Sequence, residues 1–201
     1  MDRQVITISR QYAAYGRTIA RGLSEKLGIP FYDRDFVNKT VEESGYSRED
    51  VEAEGESMSQ GSKVLNDILN SAAPYRSSYD AIFEAERQVV LKLSKEPCII
   101  VGRCSNHILK EAGIPSYDIY LYGDMDFRVE RARELGEYGE ESDIRKYVEK
   151  RDTRRKVYYK NYTGNDMGEA GLYSVCMDVS TFGPDKTMHI LYGMLKDSFV
   201  K

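Results

Sequence analysis

Between Pro97 and Arg103 the chain reads Cys-Ile-Ile-Val-Gly (98–102), the most hydrophobic strand candidate in the sequence. A strand with one wet face alternates apolar and polar residues, so a run without alternation needs cover on both sides. A parallel sheet clad with helices provides that cover. The rest of the chain agrees with it. "VITIS" (5–9), "IPFYD" (29–33), "DIYLYG" (118–123) and "YSVCMD" (173–178) also read as strands. Helical patterns fall between them, from Arg17 to about Leu27 and over about 77–95, 105–112, 125–135, 143–160 and 184–198. In the first, Ile19, Ala20, Leu23 and Leu27 share one face and Gly28 ends the helix. Alternating strands and helices predict an α/β fold with a five-stranded parallel sheet.

One region breaks the rhythm. From Arg34 to Gly61 the chain is polar and acidic, including "EESGYSREDVEAEGE", and predicts short exposed helices or a flap. An amphipathic helix with Val64, Leu65, Ile68 and Leu69 follows.

Composition narrows the function. A formal net charge of −4 over 201 residues argues against bulk electrostatic binding to nucleic acid. No apolar run approaches a membrane span, and "MDRQVITIS" lacks the apolar stretch of a secretory signal. Cys98, Cys104 and Cys176 show no CxxC spacing and read as reduced thiols of a cytoplasmic protein. With only His107 and His189, a zinc site or a Ser-His-Asp triad has little support. The oligomeric state is not legible.

The chemistry begins after the first strand. Against the phosphate-loop pattern GxxxxGK[ST], the chain offers Gln11-x-x-x-x-Gly16-Arg17-Thr18. Such a loop surrounds phosphates with backbone N–H groups at a helix N-terminus, a lysine reaches the outer phosphates, and Ser or Thr holds Mg²⁺. Arginine can replace lysine, because a guanidinium stays charged and binds phosphate bidentately. A plain strand–turn–helix with a solvated Arg17 is the alternative. Asp33 and Arg34 close the second strand candidate, and Arg103 directly follows the buried one. Ligands bind at such carboxyl ends in open α/β sheets. Asp33 alternatively caps a helix. On the basic helix, Arg151, Arg154 and Arg155 share one face at i, i+3 and i+4. The plainer reading is a solvated helix with pairs such as Asp152–Lys156. Its end, "VYYKNYTG", interleaves aromatics and lysines, a pattern also used for single-stranded nucleic acid.

"ITISRQYAAYGRTIARGLSEKLGIPFYDRD" is similar to the opening of the cytidylate kinase-like family of P-loop nucleoside monophosphate kinases, whose members typically begin ISRxYGSGGxxIAxxLAxxLGxPFYD. The resemblance continues through "IIVGRCSNHIL" (99–109), "FRVERARE" (127–134) and the lid-like "YVEKRDTRRKVYYKNYTG" (147–164). It implies a P-loop NTPase three-layer α/β/α fold over residues 1–201, its core interrupted by an acceptor-side flap at about 34–75 and a lid at about 137–165.

The implied activity is Mg²⁺-dependent transfer of the ATP γ-phosphoryl group to a nucleoside monophosphate, CMP- or dCMP-like, or to a related small acceptor. Arg17 and the loop residues Ala14, Tyr15, Gly16 and Thr18 would hold the donor, with Thr18 on the metal and Arg131 near the donor base or phosphates. Arg128 and Arg131 equally suit a solvent-facing helix. Asp33, Arg34 and Arg103 would hold the acceptor, while Arg151, Arg154 and Arg155 would neutralise the transferred group. Two departures stand out. Ala13, Ala14 and Tyr15 replace the family's Gly-Ser-Gly, which opens the alternative of a catalytically impaired nucleotide-binding or regulatory protein. Cys104 replaces the aspartate of GRD, so cytosine selection does not follow from the resemblance.

Overall fold

A computed structural model describes residues 4–33, 36, 78–139 and 143–199. Expectations for Arg34, the acidic stretch, the helix near 64–69 and most of the flap lie outside the described residues. The strands are β1 (Val5–Arg10), β2 (Phe31–Tyr32), β3 (Cys98–Val101), β4 (Ser116–Tyr122) and β5 (Val175–Asp178). They form one parallel sheet in the order β2-β3-β1-β4-β5. The described helices, numbered in chain order, are α1 (Gly16–Leu27), α2 (Ser78–Leu93), α3 (Ser105–Glu111), α4 (Met125–Leu135), α5 (Ile144–Thr163), α6 (Val179–Phe182) and α7 (Pro184–Phe199).

The period of two in the strands produces the layers. Ile6 and Ile8 of β1, Ile99 and Val101 of β3, and Ile119 and Leu121 of β4 pack against Ile19, Leu23 and Leu27 of α1 and Leu191 and Leu195 of α7. Val5, Cys98 and Ile100 point the other way, onto Val90 of α2 and Ile108 and Leu109 of α3. Register keeps the faces matched, with Ile6 opposite Ile99 and Ile8 opposite both Val101 and Ile119. Each fully buried Leu or Ile contributes roughly 1.5–3 kcal/mol of apolar burial. The continuous apolar run of β3 is thus covered on both faces. Burial there also pushes the Cys98 thiol up to about 12, so it stays protonated and behaves as a small packing group.

Three boundaries differ from the sequence reading. Only Phe31 and Tyr32 of 29–33 join the ladder, because Ile29 closes the turn out of α1 and the Ser24 hydroxyl bonds its carbonyl at 2.6 Å. The last strand starts at Val175, since a 3₁₀ turn over Ala170–Leu172 leads into it. The basic helix runs on to Thr163 and stops at Gly164, whose φ of 70° only glycine adopts cheaply. Strands β3 and β1 end side by side, so the turns after them face a shared cleft at the carboxyl edge of the sheet.

Candidate active site

The turn after β1 keeps a phosphate-loop path without the loop's glycines. Ala13 and Tyr15 both lie in the left-handed region, at φ of 60° and 56°, and Tyr15 caps the N-terminus of α1. Each such residue costs on the order of 1–2 kcal/mol relative to glycine, so contacts around the loop must hold it there. At the position of the motif's first glycine, Gln11 ties the loop to the sheet. Its N–H donates to the Leu121 carbonyl at 3.0 Å, and its Oε1 accepts from the Gly123 N–H at 3.1 Å. Gly16 is required by space. A Cβ there would sit 2.9 Å from Arg10 Cγ. The Arg10 side chain spans from Gly16 to Gly102 and lines the cleft. The sequence reading missed Arg10 as a site residue, although the "ISR" of the family's opening string contains it.

Tyr15 brings a large side chain into a position that is glycine in the family's opening string. The ring packs on α4, 5.5 Å from the Phe127 ring, with the Arg131 guanidinium 4.4 Å from its centroid. Arg131 is itself held by Glu134 at 2.7 Å. Burial, then the nearby Glu134 carboxylate, raises the Tyr15 phenol above its ordinary pKa, while Arg131 opposes the shift.

Arg17 Nε pairs with Asp33 Oδ2 at 2.7 Å, joining the first turn of α1 to the end of β2. The other oxygen of Asp33 accepts from the Phe36 N–H at 3.1 Å. The contact to Phe36 is that of a cap, and Asp33 reaches the cleft only through its pair with Arg17, since it does not itself line the cleft. Thr18 is exposed on the first turn of α1 and opens onto the cleft.

After β3 the chain makes a second strained turn. Gly102, Arg103 and Cys104 have φ of 86°, 57° and 51°. The Arg103 side chain is buried and pairs with Glu86 of α2, Nη1 to Oε1 at 2.9 Å, with Glu86 fully buried. Tyr158 of α5 donates its hydroxyl to Glu86 Oε2 at 2.7 Å, and its ring lies 5.6 Å from the Arg103 guanidinium. In the sequence, Glu86 is one acid on an amphipathic helix, and nothing local marks it as a partner of Arg103.

The basic helix α5 lies over the phosphate loop. Arg151 and Arg155 stand 5.5 and 5.4 Å from the Tyr12 ring centroid, and Arg155 Nη1 donates to the Arg10 carbonyl at 3.4 Å. Arg154 faces the same cleft. Two plainer expectations fail here. Asp152 is buried and bound to Arg128, Oδ2 to Nη1 at 2.5 Å, instead of pairing along the helix surface with Lys156. Arg128 is likewise buried rather than solvent-facing. The aromatics of "VYYKNYTG" are used in packing: Tyr162 stacks on Phe83 of α2 at 3.9 Å, and Tyr159 is buried, accepting from the Asn106 amide at 2.9 Å.

These parts enclose one cleft of about 450 Å³. Among the described residues its lining includes Arg10, Arg17, Arg21, Arg103, Arg131, Arg151, Arg154 and Arg155, and a single carboxylate, Glu137. In a chain of net charge −4, such a concentration of guanidinium groups is chemically suited to phosphate or carboxylate groups, although Arg17, Arg103 and Arg131 each also pair with a carboxylate. No described helix is long and apolar enough to cross a membrane.

Comparison with known proteins agrees with this geometry. The whole path of the chain resembles an uncharacterised protein from Eubacterium ventriosum (TM-score 0.71, 20% identity, 98% of this chain and 99% of that one). It also resembles shikimate kinase from Bacteroides thetaiotaomicron (0.55, 12%, 96% and 98%). A third similar structure is the YorR protein of Bacillus subtilis, solved with phosphorylated GDP (0.54, 16%, 96% and 95%). At these identities the likeness shows the fold, a P-loop kinase fold. A search of curated proteins gives no match. The model of the cytidylate kinase-like family matches residues 5–181, nearly the whole chain, and the protein belongs to that family.

Proposed function

We propose that this chain is a single-domain, cytoplasmic phosphotransferase that moves the γ-phosphoryl group of ATP to a nucleoside monophosphate, CMP- or dCMP-like, or to a related small acceptor. The observation that carries the reading is the cleft itself: the phosphate-loop turn, the first turn of α1 and the arginine face of α5 open onto one arginine-lined space. Binding a triphosphate and a phosphorylated acceptor together brings several negative charges to one place, and this lining suits them.

The donor phosphates rest on the loop at Ala14, Tyr15 and Gly16, with Arg17 in the place of the usual lysine. Magnesium usually keeps several waters and takes one or two protein ligands beside the phosphates, so the exposed Thr18 hydroxyl fits that role. When bound, it supplies charge neutralisation between the phosphates. Arg151 and Arg155, seated on Tyr12, and Arg154 beside them neutralise charge on the transferred group. Arg131 flanks the donor beside Tyr15. The acceptor falls to Asp33, Arg34 and Arg103, and the lid at about 137–165 serves the donor. An acceptor that is already a phosphate dianion needs no general base. The Arg17–Asp33 pair links the donor and acceptor halves.

The test is direct. The purified protein is incubated with ATP, Mg²⁺ and a panel of nucleoside monophosphates, and ADP formation is followed beside calorimetric ATP binding. Turnover with at least one monophosphate is expected. ATP binding without turnover on any acceptor overturns the enzyme reading in favour of a nucleotide-binding protein, and absence of ATP binding overturns both.

A further inference from the structure

The Arg128–Asp152 pair is among the most deeply buried ionic contacts described, and each of its members hydrogen-bonds the backbone of one residue of the phosphate loop. Asp152 Oδ1 accepts from the Tyr12 N–H at 2.6 Å, and Arg128 Nη1 donates to the Tyr12 carbonyl at 3.2 Å. Arg128 Nε donates in addition to the Gly123 carbonyl at 2.9 Å, anchoring the pair to the end of β4. The Tyr12 side chain is fixed as well. Its hydroxyl donates to Glu137 at 2.9 Å, and its ring meets Tyr147 edge-on at 5.5 Å. Tyr12 is therefore held through its N–H, its carbonyl and its phenol, and it is 3% exposed.

The next residue is Ala13, at φ of 60°, the first of the two left-handed positions that glycine-rich loops occupy without cost. A strained backbone persists only where its surroundings over-determine it. We propose that Asp152, supported by Arg128, is a positioning residue: by clasping Tyr12 it holds Ala13 in the phosphate-binding conformation that glycine would otherwise supply. The same clasp fixes the ring on which Arg151 and Arg155 sit. Loop shape and lid position are then one coupled state. The lid helix is pinned at Asp152, on the flank of its arginine face.

The proposal deepens the phosphotransferase reading and rests on it for its ligand. Binding of MgATP and of inorganic triphosphate is measured by calorimetry for the wild type, Asp152→Ala, Ala13→Gly and the double variant. If the competent loop is a minor population without the clasp, apparent affinity falls by that fraction, about tenfold for an alanine that must enter the left-handed region. Asp152→Ala is expected to weaken binding about tenfold, and Ala13→Gly in that background to restore most of it. Ala13→Gly alone changes the wild type less than about twofold, since the clasp already does the work of the glycine. A double variant as weak as Asp152→Ala, or an Asp152→Ala protein that binds normally, overturns the proposal.

Should Asp152→Ala fail to fold, amide hydrogen exchange of the wild type decides. A Tyr12 amide as slow to exchange as those of Ile6 and Ile8 supports the clasp, and one exchanging at the rate of an exposed turn overturns it. A wild type that binds neither ligand refutes the phosphotransferase reading, and the exchange experiment then still judges the clasp.

Discussion

The turns that leave β1 and β3 meet the same backbone problem in different ways. Each places two non-glycine residues in the left-handed region, Ala13 and Tyr15 in one, Arg103 and Cys104 in the other. Each is held by a buried ion pair that reaches to a helix, Arg128–Asp152 for the first and Arg103–Glu86 for the second. In the first turn the pair grips backbone groups of Tyr12, and the side chains of the turn are not part of it. In the second the strained residue is itself a member of the pair, and its charge is matched by Glu86. The comparison teaches that similar strain can be held from outside the turn in one place and through a side chain of the turn itself in another, while both turns line the same cleft. The difference lies in whether the clamping charges use side chains of the turn or only its peptide groups.

Replacing Arg17 with Ala tests the open turn. Turnover is expected to fall about 10³-fold, the lower range for an arginine that stabilises a transferring phosphoryl group. The melting temperature should change little, because the pair to Asp33 is half exposed on the arginine side and such pairs contribute about 1 kcal/mol or less. Equal losses of activity and stability would erase the contrast between the turns. Glu86→Gln tests the closed turn, leaving a buried guanidinium without its counter-charge. A loss of about 3 kcal/mol is expected, read as a lower midpoint in urea with Arg17-dependent ATP binding retained in the folded protein. A midpoint within about 0.5 kcal/mol of wild type would show that Arg103 is compensated elsewhere.

Gly102→Ala joins the two turns. At φ of 86° the new Cβ is strained and meets the Arg10 guanidinium, which crosses from one turn to the other. The cost is about 2 kcal/mol, and displacement of Arg10 should also weaken ATP binding, measurable by calorimetry. A stability loss without any change in binding would place Arg10 outside the ligand's reach.

The smallest effect belongs to Tyr15→Gly. Relief of a left-handed tyrosine, on the order of 1 kcal/mol, is offset by loss of the Phe127 and Arg131 contacts, each about 0.5–1 kcal/mol. Triphosphate affinity should shift less than about threefold. Much tighter binding would mean that the ring crowds the phosphates after all.

The distribution of these effects follows how the molecule was readable. The five strands and their helices are legible because period-two and period-3.6 patterns report burial directly, as in β3 and in α1 with Ile19, Leu23 and Leu27. Gly16-Arg17-Thr18 and the lid arginines were legible as a motif in context, and all of them reach the cleft. Arg10 was overlooked because it lies at the end of a strand, where the motif pattern makes no demand on it. Glu86, Arg128 and Asp152 were misread or unread for a different reason. A charged residue on a charged helix reads as solvated, and its local neighbours give no sign of a partner on another element, from Glu86 to Arg103 or from Arg128 to Asp152.

By itself, then, the sequence determined the parallel α/β architecture, the family and the Gly16-Arg17-Thr18 motif, since those depend on local periodicity and residue order. Only the tertiary structure decided that alanine and tyrosine follow the path of a glycine loop and that Tyr15 turns onto α4. It also decided which charges are spent inside the protein and which face the cleft. A left-handed backbone and a buried charge are both unfavourable in isolation. Each becomes tenable only when residues far apart in the chain supply the hydrogen bonds and counter-charges that hold it.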